Sequence, residues 1–146
     1  KELPWTVTYH DPCHTGRHLN KFKVDKDGSE LWEGAYVDVD ESECLYDKPR
    51  EILKAIPGVK FVEMDRIRAN SYCCGGGGGV MTGFGDWATK NAGIRVAEAM
   101  ETSAEKMVTT CPFCHYNLNE GAKRSGSNMP THDLTEIINM VLPEKE

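Results

Sequence analysis

Cys73-Cys74-Gly75-Gly76-Gly77-Gly78-Gly79 sets two adjacent thiols against a run of glycines. Such thiols ligate metals or form disulfides, and a glycine backbone can approach closely whatever they hold. Asp11-Pro12-Cys13-His14 upstream and Cys111-Pro112-Phe113-Cys114 downstream offer the same chemistry. The Cys-x-x-Cys spacing alone suits a thioredoxin-like redox pair, half a zinc site or half a cluster site. A thioredoxin-like pair needs no further cysteines, yet Cys13, Cys73 and Cys74 are present too. Adjacent cysteines chelate one tetrahedral zinc poorly, because zinc loops separate their ligands by about two to four residues. They can instead reach different irons of one polynuclear cluster.

The glycines read either as a flexible linker or as a close-approach loop. Two thiols at one end and an amphipathic stretch at the other favour the loop. Its backbone N–H groups, at Gly75, Gly76 and Gly77 first, can then face an anionic cofactor. His14 and His115, each beside a cysteine, are the candidate proton donors, with plain surface histidine as the alternative. Catalytic residues are otherwise unassigned, and His10, His18 and His132 receive no role. Asp11 is expected to accept backbone hydrogen bonds in a turn. Arg17 is read as a neutralising charge or a solvated one. Cys44 stands in an irregular stretch and is left outside the ligand set. No Ser/His/Asp arrangement is visible. No Lys-Ser/Thr follows the glycines as a phosphate loop requires, and the spaced dinucleotide fingerprint is missing.

Bulk properties narrow the field. A chain of 146 residues is long enough for one domain with its own core. A net charge of -6 without a Lys/Arg cluster argues against a nucleic-acid partner. No apolar run approaches the roughly 20 residues of a membrane span, so direct membrane insertion is not expected. Nothing at the N-terminus reads as a signal peptide. Six cysteines are too few for a disulfide scaffold of this length, which points to a reducing, cytoplasmic setting. Lys1 stands where an initiator Met would, so the expectation is a piece of a longer protein.

The elements that must position these thiols follow from the hydrophobic pattern. Trp5, Val7 and Tyr9 alternate with Thr6 and Thr8 as a strand does, and Pro12 ends it. Residues 19–43 lack sustained periodicity and are read as an inserted loop. Asp47 can cap a helix with Pro49 in its first turn and Ile52, Leu53 and Ile56 on one face; Pro57-Gly58 stops it. Residues 59–64 form a strand candidate. Ala88, Ala92, Val96, Ala99 and Met100 mark a helix over 86–105, and 106–110 a strand. Pro112 opens a helix to about Lys123. A fourth short strand is expected near 129–132. A capping box of Asp133 and Glu136 then precedes a helix carrying Leu134, Ile137, Ile138 and Val141.

Strands alternating with helices predict an α/β fold, a mostly parallel sheet of three to four strands with helices on both faces. Ligands of such sheets gather beyond the C-terminal strand ends. Cys13 follows the first strand, Cys73 and Cys74 the second, and Cys111 and Cys114 the third, so all are expected at that edge.

The set His10-Asp11-Pro12-Cys13-His14, Pro49-Arg50-Glu51-Ile52-Leu53 with Ile56-Pro57-Gly58, Cys73-Cys74-Gly75 and Cys111-Pro112-x-Cys114 resembles the cysteine-rich CCG domain family. That family includes a cluster-bearing component of heterodisulfide reductase and the iron–sulfur components of glycolate and lactate oxidases. The resemblance covers nearly the whole chain, 1–146, as a single such domain with the insertion at 19–43. It implies a [4Fe–4S] cluster, non-cubane in heterodisulfide reductase, with Cys13, Cys73, Cys74, Cys111 and Cys114 as ligands. The 36 residues between Cys74 and Cys111 match the family spacing. The 59 between Cys13 and Cys73 exceed it, and the insertion accounts for the excess. Cys44 has the better spacing for a first ligand, but the Asp-Pro-Cys-His context favours Cys13. Members usually carry two such domains, so the expectation here is the C-terminal domain of a larger Fe–S oxidoreductase.

The implied function is electron transfer or disulfide reduction, with turnover requiring partner domains. The implied partners are other Fe–S or flavin subunits of a redox complex, held at the inner face of the membrane through another component of that complex. Two alternatives stand beside this reading: a non-catalytic docking module with zinc-bound or metal-free cysteines, and a thiol–disulfide oxidoreductase using Cys111 and Cys114 alone.

Overall fold

Alternating β-branched and aromatic residues make β1 (Thr6–Tyr9), which runs along the centre of a four-stranded sheet. The computed structural model describes residues 1–18 and 44–143. After β1 come α1 (Asp47–Ala55), β2 (Lys60–Phe61), α2 (Val80–Gly83), α3 (Gly85–Met100), β3 (Lys106–Thr109), α4 (Pro112–Ser125), β4 (Thr131–Asp133) and α5 (Leu134–Val141). Short 3-10 turns lie at Cys13–Thr15 and Arg68–Asn70. The insertion expected at 19–43 falls outside the described residues.

The sheet order is β2-β1-β3-β4 and every pairing is parallel. Parallel neighbours need crossovers, which α1, the α2–α3 unit and α4 supply. Strand side chains alternate between the two faces. Val7, Tyr9 and Val108 meet Leu53 and Ile56 at the end of α1 and Leu134 and Ile137 of α5. Met107, on the opposite face, meets Ala92, Val96 and Ala99 of α3 and Leu118 and Ala122 of α4. The expected α/β fold with helices on both faces is therefore present.

Several boundaries differ from expectation, each for a local reason. The strand at 59–64 shrinks to Lys60–Phe61: Val62 N–H still donates to Val7 O (2.9 Å), but Met64 is buried in the α3–α4 core. Asp47 is the first helical residue, not a cap, and its carboxylate binds Arg68 (2.6 Å). Ile52 is 40% exposed rather than part of the apolar face. α3 stops at Met100 because the Thr102 hydroxyl donates to Ala99 O (2.7 Å) and accepts from Ala104 N–H (3.0 Å). α4 continues past Lys123 to Ser125, closed by Gly126 at φ 69°. The fourth strand is Thr131–Asp133, shifted from 129–132. The capping box forms: Thr135 N–H donates to Asp133 Oδ1 (2.9 Å), and Glu136 Oε2 accepts from Asp133 N–H (3.0 Å).

Two contacts hold the cysteine-bearing segments in place. Asp11, in the turn after β1, takes two bonds from the buried Arg50 of α1 (2.7 and 2.9 Å) and one from Arg68 N–H (2.8 Å). Arg50 also donates to Glu63 (2.7 Å), so its charge is doubly compensated inside the protein. The second contact is the crossing of α3 and α4 at Gly121, where a Cβ would lie 2.8 Å from Gly93 N and from Ala92 C. Gly121→Val should therefore push the helices apart and cost about 1–3 kcal/mol or more in urea unfolding. An unchanged midpoint would refute that close crossing.

Candidate metal centre

Three segments arrive at the sheet's C-terminal edge. β1 leads through Pro12 to Cys13 and His14 in the 3-10 turn. β3 leads to Cys111, whose successor Pro112 opens α4 and places Cys114 one turn along. Cys73 and Cys74 were expected to follow the second strand, but a longer path with the Arg68–Asn70 turn separates them from β2.

Side-chain amides replace the missing strand as their anchor. Asn117 Nδ2 donates to Cys74 O (2.7 Å) and Ala88 O (3.1 Å), and Asn91 Nδ2 donates to Cys73 O (3.3 Å). Tyr72 hydroxyl donates to Asn91 Oδ1 (2.7 Å), which fixes that amide's orientation. Gly75 has φ 79°, and a Cβ there would meet Asn91 Cβ at 2.8 Å, so this position is restricted to glycine by both conformation and space. The polar side chains Asn91 and Asn117 were not singled out from sequence, since a helical Asn carries no spacing signal.

The five thiols interact pairwise in one series: Cys13 with Cys73, Cys73 with Cys74, Cys74 with Cys114, and Cys114 with Cys111. Cys13, Cys74, Cys111 and Cys114 line a cavity of about 190 Å³, with Pro12, His14 and the glycines Gly76 to Gly79. Met81, Thr82 and Phe113 complete its wall. Two glycine N–H groups bind sulfur: Gly75 N–H donates to Cys73 Sγ (3.3 Å) and Gly76 N–H to Cys74 Sγ (3.4 Å). Gly77 lies against the His14 ring, its position for a Cβ 3.8 Å from the ring carbon.

These contacts divide the thiols into donors and acceptors. Hydrogen bonds from Cys13 first, then Cys74 and Gly75 N–H, hold the Cys73 thiol far below its ordinary range, with Arg17 adding to the shift. Cys111 is lowered to about 6, chiefly by Cys114 and with help from the N–H groups of Cys114 and Phe113 at the start of α4. Cys13 is raised by its bond to Cys73 and by burial, and Cys114 by its bonds to Cys111 and Cys74. Cys74, pulled down by Cys114 but pushed up by Cys73 and burial, ends at about 11. Donor set, lowered thiols and backbone N–H dipoles thus suit a metal centre whose thiolate sulfurs carry negative charge.

The other candidates separate clearly. His14 lines the cavity, with Nδ1 3.5 Å from Cys13 Sγ. His115 is not brought there: its Nε2 faces Glu136 at 3.8 Å, which α5 presents beyond β4. Arg17, half-buried, donates to Ala69 O (3.0 Å) and Ser71 O (2.6 Å), tying down the approach to Cys73, and its charge lowers the Cys13 and Cys73 thiols. Asp11 accepts a backbone hydrogen bond as expected, with the Arg50 pair as the unexpected part. Cys44 donates to Gly16 O (3.5 Å), away from the cavity lining. His10, given no role from sequence, places a ring nitrogen within 4.8 Å of Cys74 Sγ and Cys114 Sγ.

The cysteine-rich domain model of the CCG family matches residues 7–119, a span that includes all five of these cysteines. The chain belongs to the CCG family. It is 38% identical over 94% of its length to a component of the dihydromethanophenazine:CoB–CoM heterodisulfide reductase of Methanosarcina barkeri, covering 28% of that protein. A relative in Bacillus subtilis named "Probable iron-sulfur-binding oxidoreductase FadF" is 33% identical over 91% of the chain, which covers 16% of it. An uncharacterized iron–sulfur protein of Methanocaldococcus jannaschii is 29% identical over 97% of the chain, which covers 23% of it. The chain thus spans less than a third of the length of these relatives. Among the described residues no helix is long and apolar enough to cross a membrane.

The donor–acceptor pattern is testable on metal-free protein. Iodoacetamide at pH 7 should label Cys111 and Cys73 ahead of Cys13 and Cys114. The thiolate exists above its pKa, so Cys111 labelling should fall off as pH drops through about 6, not through the ordinary thiol value of about 8.5. Mass spectrometry of the labelled peptides reads this, and uniform labelling of all five would contradict it.

Proposed function

We propose that this chain is an iron–sulfur redox domain of a heterodisulfide reductase-like oxidoreductase, binding a non-cubane [4Fe–4S] cluster through Cys13, Cys73, Cys74, Cys111 and Cys114. The carrying observation is the unbroken contact of five thiols from three separate segments beside one cavity. A single tetrahedral zinc uses four ligands and leaves the fifth without purpose. The names of the relatives, several of them iron–sulfur proteins, support iron over zinc.

When bound, the cluster supplies one-electron transfer. The chain's own residues do the rest. Gly75 and Gly76 N–H groups, already aimed at Cys73 and Cys74 sulfur, stabilise negative charge on the thiolates and raise the reduction potential. Phe113, Met81 and Thr82 restrict access to the cavity. His14 holds a proton at its mouth, where reduction of a disulfide to two thiols consumes protons with electrons. The proposed reaction class is therefore reduction of a disulfide, or electron relay to it, in a complex with other Fe–S or flavin subunits. Those partners would provide any attachment to the inner membrane face.

Anaerobic loading with iron and sulfide, followed by iron counting and EPR, tests this. About four irons per chain are expected, lost on Cys73→Ser or Cys74→Ser and retained on Cys44→Ser. Stoichiometric zinc with no iron uptake would favour the docking-module reading and overturn this one.

A further inference from the structure

His10 sits directly behind the sulfur chain and is 1% exposed. The sheet fixes it: its N–H donates to Val108 O (2.8 Å) and its carbonyl accepts from Thr109 Oγ1 (3.2 Å). A ring nitrogen, Cys74 Sγ and Cys114 Sγ lie within 4.8 Å of one another. By distance alone, this group could be three ligands of one metal.

Arg95 decides otherwise. Its Nε donates to His10 Nδ1 at 3.1 Å, and its own position is set by Arg66 O (2.9 Å) and Glu98 (2.6 Å). A guanidinium has donors and no acceptor, so Nδ1 must be the unprotonated nitrogen and Nε2 must carry the ring proton. With Nδ1 committed to Arg95 and Nε2 protonated, neither nitrogen offers a lone pair to a metal. The ring can only donate.

We propose that His10, held by Arg95 with its proton on Nε2, is a fixed N–H dipole beside the Cys74–Cys114 sulfur pair that sets the reduction potential of the metal centre without ligating it. This rests on the iron–sulfur reading above. Reduction adds negative charge to the sulfurs, and a donor stabilises that charge, so His10 raises the potential. Arg95 is a positioning residue: it holds the ring in the tautomer that can donate.

The test has two arms on the same protein. In metal-free protein labelled with 15N, the His10 ring should show the Nε2–H tautomer, lost in Arg95→Met; an Nδ1–H ring in the wild type would overturn the proposal. In anaerobically loaded protein, iron content should be the same in wild type, His10→Gln and His10→Leu. The EPR-monitored midpoint should fall in His10→Leu by a tenfold change in the reduction equilibrium, about 59 mV for one electron, and His10→Gln should recover part of it through its amide N–H. Circular dichroism checks that each variant folds. Lost iron in a folded His10→Leu would make His10 a ligand, and equal midpoints in all three would remove its role; either outcome overturns the proposal. Failure of the wild type to take up iron overturns the cluster reading instead, while the tautomer arm still judges the Arg95–His10 pair.

Discussion

The buried amide of Asn117 joins three pieces of this protein that sequence order keeps apart. Standing on α4, it donates to Ala88 O on α3 and to Cys74 O in the loop before the glycines. A parallel sheet delivers Cys13 and Cys111 to one edge by pairing β1 with β3, but it has no strand to deliver Cys73 and Cys74. Asn117 and Asn91, with Arg17 at Ser71, hold that loop by polar contacts. Because the Asn117 amide is buried with its carbonyl partners, losing a bond there leaves an unsatisfied polar group, which costs about 1–3 kcal/mol. The relative position of the sulfurs therefore rests on polar contacts as well as on the apolar packing of Cys74 and Cys114.

The same edge concentrates positive charge in a chain whose net charge is -6. Arg50 and Arg95 are both buried, and Arg17 is bound to carbonyls near Cys73. Arg50 is neutralised by Asp11 and Glu63. Arg95 has Glu98, yet its Nη2 is buried without a hydrogen-bond partner. Burial lowers its pKa to about 10, which leaves it charged at neutral pH. Nearer the thiols, the Arg17 charge lowers Cys13 and Cys73 and so favours their ionised form, the form that binds metal.

Periodicity made the fold legible wherever it was strong. β1, β3, α4 and the capped α5 could be read because alternation, Pro112 and the Asp133–Glu136 box are local signals. The cysteines could be read by type, and Cys13 and Cys111 by their place after strands. What escaped was set by tertiary contact. β2 is short because Met64 is drawn to the opposite core, and Ile52 is exposed although its neighbours Leu53 and Ile56 are not. His10 escaped for the same reason: only the fold shows that its ring accepts from Arg95 and lies near two sulfurs. His115, beside a cysteine in sequence, projects toward Glu136 because consecutive helical residues point in different directions.

The sheet also has two outer strands, and they are its shortest: β2 with two residues and β4 with three. A long open strand invites another chain to add itself by backbone pairing, which is how sheets aggregate or extend across an interface. Among the described residues these edges offer too little free backbone for that. Association with a second domain of this kind must then be read out by side chains, around the sulfur-bearing edge and along the helices. Specificity in such a contact is encoded in sequence, where it can diverge between copies, instead of in a backbone ladder that every strand shares.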